Sequence, residues 1–247
     1  MTAKAVSQGQ ETRVAPSLSD RVISEIRQKI IAHELSPQQA FTEGEIAAML
    51  GVSKSPTREA LALLRRQGWV DVLPRSGYRV APLTLHDAQN LTAVRLALEP
   101  ESAAAAARRV GRWPDQAEAL HAFAMAPNAW QAGRLDAERI VQHFRFHRRI
   151  AVLSGNTELE RMLSDTLLKL QRYDRLQLAA GGSLECNVDH RRLAAAIVDQ
   201  DAAAARSAAQ EHAAEARDAL LSALMSSETL LSANLSAGAE PPGVLAS

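Results

Sequence analysis

The chain has 247 residues, room for two modest domains, and 47% of them are apolar, an ordinary share for a globular protein. Its 28 Lys and Arg balance 28 Asp and Glu, and a single cysteine, Cys186, excludes an intramolecular disulfide framework and suits a reducing compartment. No apolar run approaches the ~20 residues of a membrane helix, and the N-terminus has no apolar core flanked by basic residues, so a soluble, cytoplasmic protein with no membrane partner is expected.

The balanced charge is unevenly spread. Residues 1–82 hold 11 Lys and Arg against 8 Asp and Glu, which leaves the remainder mildly acidic. A basic front and an acidic back fit a DNA-binding head on a ligand-binding body. Few aromatics and abundant alanine and leucine favour helices packed on helices.

Residues 1–16 are polar and without periodicity, and are expected to form a disordered arm. From Ser17 the pattern changes. Leu18, Val22, Ile26 and Ile30 recur every four residues with Ile23 beside them, the stripe of an amphipathic helix reaching about His33 before Ser36-Pro37 breaks it.

Thr42 to Val80 reads as two short helices and a two-stranded ribbon. Thr42 and Glu45 form a capping box, Ile46, Ala47, Met49 and Leu50 supply apolar positions, and Gly51 suits a left-handed stop. Ser55 is expected to cap the second helix with Pro56 at its first position. That helix turns Ala60, Leu61, Leu63 and Leu64 inward and ends at Gly68. Trp69 to Leu73 reads as a strand, Pro74 to Gly77 as a turn with Arg75 at its tip, and Tyr78 to Val80 as the return strand. Between Lys54 and Arg79 six basic residues face two acidic ones. The leading end of the second helix offers Lys54, Ser55, Thr57 and Arg58, all able to bond phosphates or base edges.

GVSKSPTREALALLRRQGWVDVLPRSGYRV, Gly51 to Val80, resembles the GntR family of transcriptional regulators. The resemblance implies a winged helix-turn-helix over residues 17–82 that binds double-stranded operator DNA through Lys54, Ser55, Thr57 and Arg58, with the wing at Arg75 reaching the adjacent groove. Three positions depart from the family pattern. Lys54 stands where arginine is usual, Thr57 where valine is usual, and Gly44 where some members carry a DNA-contacting arginine. Lysine cannot make arginine's planar two-pronged contact to guanine, so the base preference at that step does not carry over.

After Ala81-Pro82-Leu83 the signals are helical throughout. Thr84 or His86 opens a helix through Leu91, Val94, Leu98 and the alanine run near 103–107, which Gly111 and Pro114 punctuate. Further helices are expected over about Asp115–Met125, Asp136–Leu153, Thr157–Leu178, from Ser183 or Asn187 to Val198, and from the Asp201 cap to about Met225. Pro127 with Gly133, Gly155-Asn156 and Gly181-Gly182 mark the breaks. Short loops and Leu/Ala content read as an antiparallel bundle over residues 83–226, and residues 227–247 as a disordered tail. The expected fold class is mainly α: an N-terminal winged helix-turn-helix and a C-terminal all-α antiparallel bundle.

His143 and His147, four apart, share a helix face, while His190 and His212 fall on two later helices. Three helices could aim four imidazoles at one ion. The competing reading is a solvent-facing pair on a basic face, since Arg145, Arg148 and Arg149 lie alongside.

The pieces VRLALE (Val94–Glu99), HFRFHRRIAVLSGNTEL (His143–Leu159) and DHRRLAAAIVDQDAAAARSAAQEH (Asp189–His212) resemble the FadR C-terminal (FCD) domain, an all-helical effector-binding domain. Many such domains hold a divalent metal with an aspartate, a histidine four residues later, and one histidine on each of two later helices. Here His147, His190 and His212 match the histidines and His143 occupies the aspartate position. A neutral imidazole in place of a carboxylate leaves the ion its full charge, which favours Zn²⁺ or Ni²⁺ over Mn²⁺ or Mg²⁺ and draws an anionic effector. Arg95 matches an arginine that can pair with an effector carboxylate; a surface salt bridge with Glu99 is its other reading.

These readings converge on a ligand-responsive regulator that binds a palindromic operator as a homodimer and answers to a small carboxylate. Two alternatives remain: a metal sensor with no organic effector, and a metal-dependent enzyme with an accessory DNA-binding head. No nucleophile motif or phosphate-binding glycine loop supports the enzyme.

Overall fold

The computed structural model describes residues 17–126, 137–179 and 190–226. The expected arm and tail, the Pro127 and Gly133 loop, the Gly181-Gly182 break and Cys186 lie outside the described residues. The chain divides into two compact units, one up to Lys29 joined with Gln38–Ala81, the other Ile30–Pro37 joined with Pro82 onward.

In the first unit, helix α1 (Leu18–Ile31) opens at Ser17, whose hydroxyl accepts from the Asp20 N–H at 3.1 Å while its own N–H donates to the Asp20 carboxylate at 3.0 Å. Val22, Ile23 and Ile26 are buried as the stripe requires, and Leu18 is left exposed. Helix α2 (Glu43–Leu50) has the expected capping box. The Thr42 hydroxyl accepts from the Glu45 N–H at 3.2 Å, and the Glu45 carboxylate takes the Thr42 N–H at 2.7 Å. Gly51, at φ +64°, ends the helix in the left-handed region. Ile46 and Ala47 are buried; Met49, expected to be apolar filling, is half exposed.

Helix α3 (Lys54–Arg66) begins earlier than expected. Its N-cap is Ser53, not Ser55, and Pro56 is its third residue. The N–H groups of the first turn have no partner inside the helix, so proline is tolerated there as at the first position. Three antiparallel strands, β1 (Ala40–Phe41), β2 (Val70–Leu73) and β3 (Gly77–Val80), lie in the order β1-β3-β2. Val70 faces Val80 and Leu73 faces Gly77 across the ribbon, while Phe41 pairs with Tyr78 and stacks on its ring at 6.1 Å. The β2–β3 connection requires glycine at 77. Its φ is +101°, and a Cβ there would stand 2.5 Å from the Phe41 carbonyl oxygen.

The second unit contains α4 (Leu85–Arg109), a 3₁₀ turn (Val110–Arg112), α5 (Pro114–Met125), α6 (Ala137–Leu153), α7 (Thr157–Ala179), α8 (His190–Val198) and α9 (Ala202–Ser226). Thr84 caps α4 by accepting from the Asp87 N–H at 2.9 Å, and Asp201 caps α9 by accepting from Ala203 and Ala204 at 3.0 and 2.9 Å. The Asn156 side chain does the same for α7, accepting from the Leu159 N–H at 3.1 Å. Alanines line the meeting of α4 and α9: Ala103, Ala106 and Ala107 on one, Ala205, Ala208 and Ala209 on the other. Side chains this small let the two helices run close together along their length. A second cluster joins Leu83 and Ala88 to Leu170, Tyr173, Leu220 and Leu224. Pro100 lies inside α4, so the Leu96 carbonyl has no N–H four residues on to accept from.

Candidate functional site

Two sets of side chains stand out, one in each unit. In the first unit, Lys54, Ser55 and Arg58 are exposed at the start of α3, and Arg75 is exposed at the tip of the β2–β3 turn with φ +65°. Arg58 is already engaged. Its Nε lies 3.3 and 3.1 Å from the two carboxylate oxygens of Glu43, and that carboxylate holds the guanidinium more firmly protonated than usual. Tyr78 OH reaches the same carboxylate at 3.5 Å.

Thr57 is a correction. It is fully buried, and its hydroxyl donates to the Ser53 carbonyl at 3.0 Å, so it offers nothing to a nucleic acid. The signal was present in the sequence: Thr57, Ala60, Leu61 and Leu64 are spaced three, one and three apart, which places Thr57 on the inward stripe.

In the second unit the four histidines do converge. His143, His147, His190 and His212 come from α6, α8 and α9, and their ligand-capable atoms all lie within 4.8 Å of one another. His147 Nε2 is 3.1 Å from His143 Nε2 and 2.9 Å from His212 Nε2. His190 packs edge-on to both His143 and His212, with ring centroids at 5.2 and 4.5 Å. His147, His190 and His212 are each 2% exposed, which removes the reading of a solvent-facing histidine pair.

Burial, then the charge of Arg95, holds the His147 imidazole well below the ordinary histidine range. Burial and the neighbouring His147 do the same for His143 and His212. The rings are therefore neutral at pH 7, the protonation state in which imidazole is a metal ligand. Tautomer follows from the surroundings. His147 Nδ1 lies 2.9 Å from Glu99 Oε1, and an acceptor-only carboxylate requires Nδ1 to donate. The lone pair then sits on Nε2, which points at His143, His212 and Arg95. Four imidazoles gathered this closely suit a borderline transition metal, and a carboxylate behind one ring is the usual support for such a ligand.

Arg95 and Glu99 do form the i,i+4 pair read from the sequence, with Nε to Oε1 at 2.9 Å, but it is buried, not on the surface. The Arg95 guanidinium also reaches His147 Nε2 at 3.2 Å. Glu99 is the functional residue that the sequence reading did not place at the site. Thr92, Arg95, Glu99 and Ser102 are all buried and recur at three- and four-residue spacing, so they form one polar stripe on the inner face of α4.

The first unit is a winged helix-turn-helix, and the helical unit after it carries a central histidine cluster. The model of the gntR family of bacterial regulatory proteins matches residues 18–80, and the FCD domain model matches residues 90–215. A helix-turn-helix (HTH)-type transcriptional regulator of Streptomyces ambofaciens, from an unstable DNA locus, is 32% identical over 195 residues, covering 76% of this chain and 78% of its own length. The HTH-type transcriptional regulator Mce2R of Mycobacterium tuberculosis is 26% identical over 238 residues, covering 85% and 94%. Among solved structures, E. coli McbR/YncC superposes with a TM-score of 0.71 at 21% identity over 83% of this chain and 98% of that one. A GntR regulator from Rhodococcus sp. RHA1 gives 0.60 at 18% identity, over 83% and 97%. These two likenesses bear on the fold alone. The chain belongs to the GntR family of bacterial transcriptional regulators, in its branch with an FCD domain. It is a DNA-binding transcriptional regulator. No described helix is long and apolar enough to cross a membrane.

Proposed function

We propose that this regulator binds a palindromic operator as a homodimer and that a small carboxylate effector, held in the helical unit, alters its operator affinity. The DNA contacts are assigned to Lys54, Ser55, Arg58 and Arg75. The effector site is built on His143, His147, His190 and His212 as ligands of a divalent ion, Zn²⁺ or Ni²⁺, with Arg95 beside them. The observation that carries the reading is the Glu99–His147 contact, which turns the lone pair of a buried, neutral imidazole toward three others. When bound, the ion supplies a Lewis-acid position for a carboxylate oxygen. Arg95 supplies a planar cationic fork for the same group.

A second reading is favoured by the ligand count. Four imidazoles can complete a tetrahedral shell and leave no open position, and the ion itself is then the signal.

Metal analysis of purified wild type and His147→Ala, with and without chelator, tests the site, and equal metal content in both proteins sinks it. A thermal-shift series of small carboxylic acids on the loaded and chelated forms separates the two readings, because a ligand of the native state raises its stability by mass action. Carboxylate shifts that vanish on chelation support the effector site. Metal-dependent DNA affinity with no carboxylate response supports the sensor.

A further inference from the structure

Helix α6 has two chemistries on two sides. His143 and His147 face the cluster; Arg145, Arg148 and Arg149 lie on the opposite side of the same helix. These three arginines open onto a cleft of about 380 Å³ between α5 and α6, a volume at the small end of those that hold organic ligands. Gln116, Phe123, Val152 and Leu153 also line it.

The charge in this cleft is poorly matched. Like charges three and four residues apart oppose helix formation. Arg149 donates to the Ala119 carbonyl at 3.2 Å, which fixes its position without neutralising it. Arg148 meets Glu160 only at 3.5 Å, and Arg145 has no hydrogen bond or ion pair with any described residue. Among the described residues no carboxylate lines the cleft. Its apolar side is Phe123, stacked on Phe146 at 6.3 Å between centroids, and Val152, which is 48% exposed.

We propose that this cleft is a second ligand site, distinct from the histidine cluster, for a small organic anion with an apolar body. Arg145 and Arg148 receive the carboxylate, Arg149 fixes the wall, Gln116 offers an amide, and Phe123 and Val152 take the apolar part. Guanidinium forks fit a carboxylate in two-pronged fashion, and an apolar wall beside them selects against small inorganic anions.

The test uses the full chain, freed of metal by chelation, with benzoate as the probe and benzamide and inorganic phosphate as comparisons. Calorimetric titration is expected to give saturable benzoate binding that weakens at least about tenfold in Arg145→Gln/Arg148→Gln and is retained in Arg95→Gln. Val152→Asp, which adds a negative charge to the apolar wall, is expected to weaken it as well. Unchanged circular dichroism at the titration temperature shows that the variants fold. Binding lost in Arg95→Gln but kept in the double variant overturns the proposal, as does the absence of saturation by about 10 mM benzoate. Benzamide or phosphate binding as tightly as benzoate overturns the ligand class.

Discussion

Glu99 Oε1 stands 2.9 Å from His147 Nδ1 and 2.9 Å from Arg95 Nε, so one buried oxygen sets the tautomer of an imidazole and matches the charge of a guanidinium. Glu99→Gln keeps the shape and removes the charge. Metal affinity, measured by competition with a chromophoric chelator, is expected to fall about 10- to 100-fold. The metal-free protein is expected to lose about 3–5 kcal/mol in denaturant unfolding, because Arg95 is left buried without a counter-charge. Glu99→Gln/Arg95→Met is expected to recover part of that loss; a double variant no more stable than Glu99→Gln alone would show that the pairing is not the cause.

The buried histidines give the metal-free protein a defined pH dependence. Each of His143, His147 and His212 is held well below 6.5 in the native state and returns toward that value on unfolding. Below about pH 6.5 the unfolded chain binds protons that the native state does not, so stability falls as pH falls, by up to about 1.4 kcal/mol per pH unit for each ring. Asp174 works the other way. Burial raises its carboxyl from 3.8 to about 7, so between those values the native state holds the extra proton and stability falls as pH rises. Three histidines outweigh one aspartate, and unfolding free energy in chelator is expected to increase from pH 5 to 6.5. Asp174→Asn is expected to steepen that rise; a flat or inverted profile in this variant would contradict the assignment.

At the DNA-binding surface, Lys54→Ala and Arg75→Ala are each expected to reduce the salt dependence of duplex binding by about one unit of slope. Thr57→Val is expected to leave DNA affinity unchanged within about twofold, because its hydroxyl bonds only Ser53 inside the unit. A large loss in Thr57→Val, measured by fluorescence anisotropy, would return Thr57 to the interface.

Glu43 pairs with Arg58 at 3.1 Å and, in the proposed DNA complex, competes with phosphate for it. Glu43→Gln is expected to tighten DNA binding several-fold at low salt, with the gain shrinking as salt is raised. Weaker binding would mean that Glu43 positions Arg58 for DNA and does not hold it back.

Gly77→Ala places a side chain in left-handed backbone and 2.5 Å from the Phe41 carbonyl oxygen. A loss of about 2–4 kcal/mol is expected from denaturant unfolding, with the wing affected first.

Local signals explain what the sequence made legible. Thr42 with Glu45, and Gly51, act within one turn of their own positions, so capping chemistry alone marks both ends of α2. The histidine cluster was within reach because His143 and His147 share one helix face, His190 and His212 fall on two later helices, and the FCD resemblance pointed the same four residues to one site. Strand β1 was out of reach: two residues cannot display a period, and Ala40–Phe41 becomes a strand only by pairing with β3. The start of α3 shifted because Ser53 and Ser55 both carry capping side chains, and Ser53, which makes no side-chain cap, holds the position through its backbone. Glu99 was visible as a partner for Arg95, but not its third contact, since His147 lies 48 residues away and only the packing of α6 on α4 brings the two together.

Pro100 follows Glu99 directly and removes one rung from the ladder of the 25-residue helix α4. Bending is cheapest at the turn where a rung is missing. Glu99 lies in that turn and Arg95 immediately before it, so two residues that contact His147 ride on the part of α4 that has lost a rung. A sub-ångström movement of either side chain works there against a weakened spring, and displacement travels along α4 from this turn more readily than from any fully bonded one.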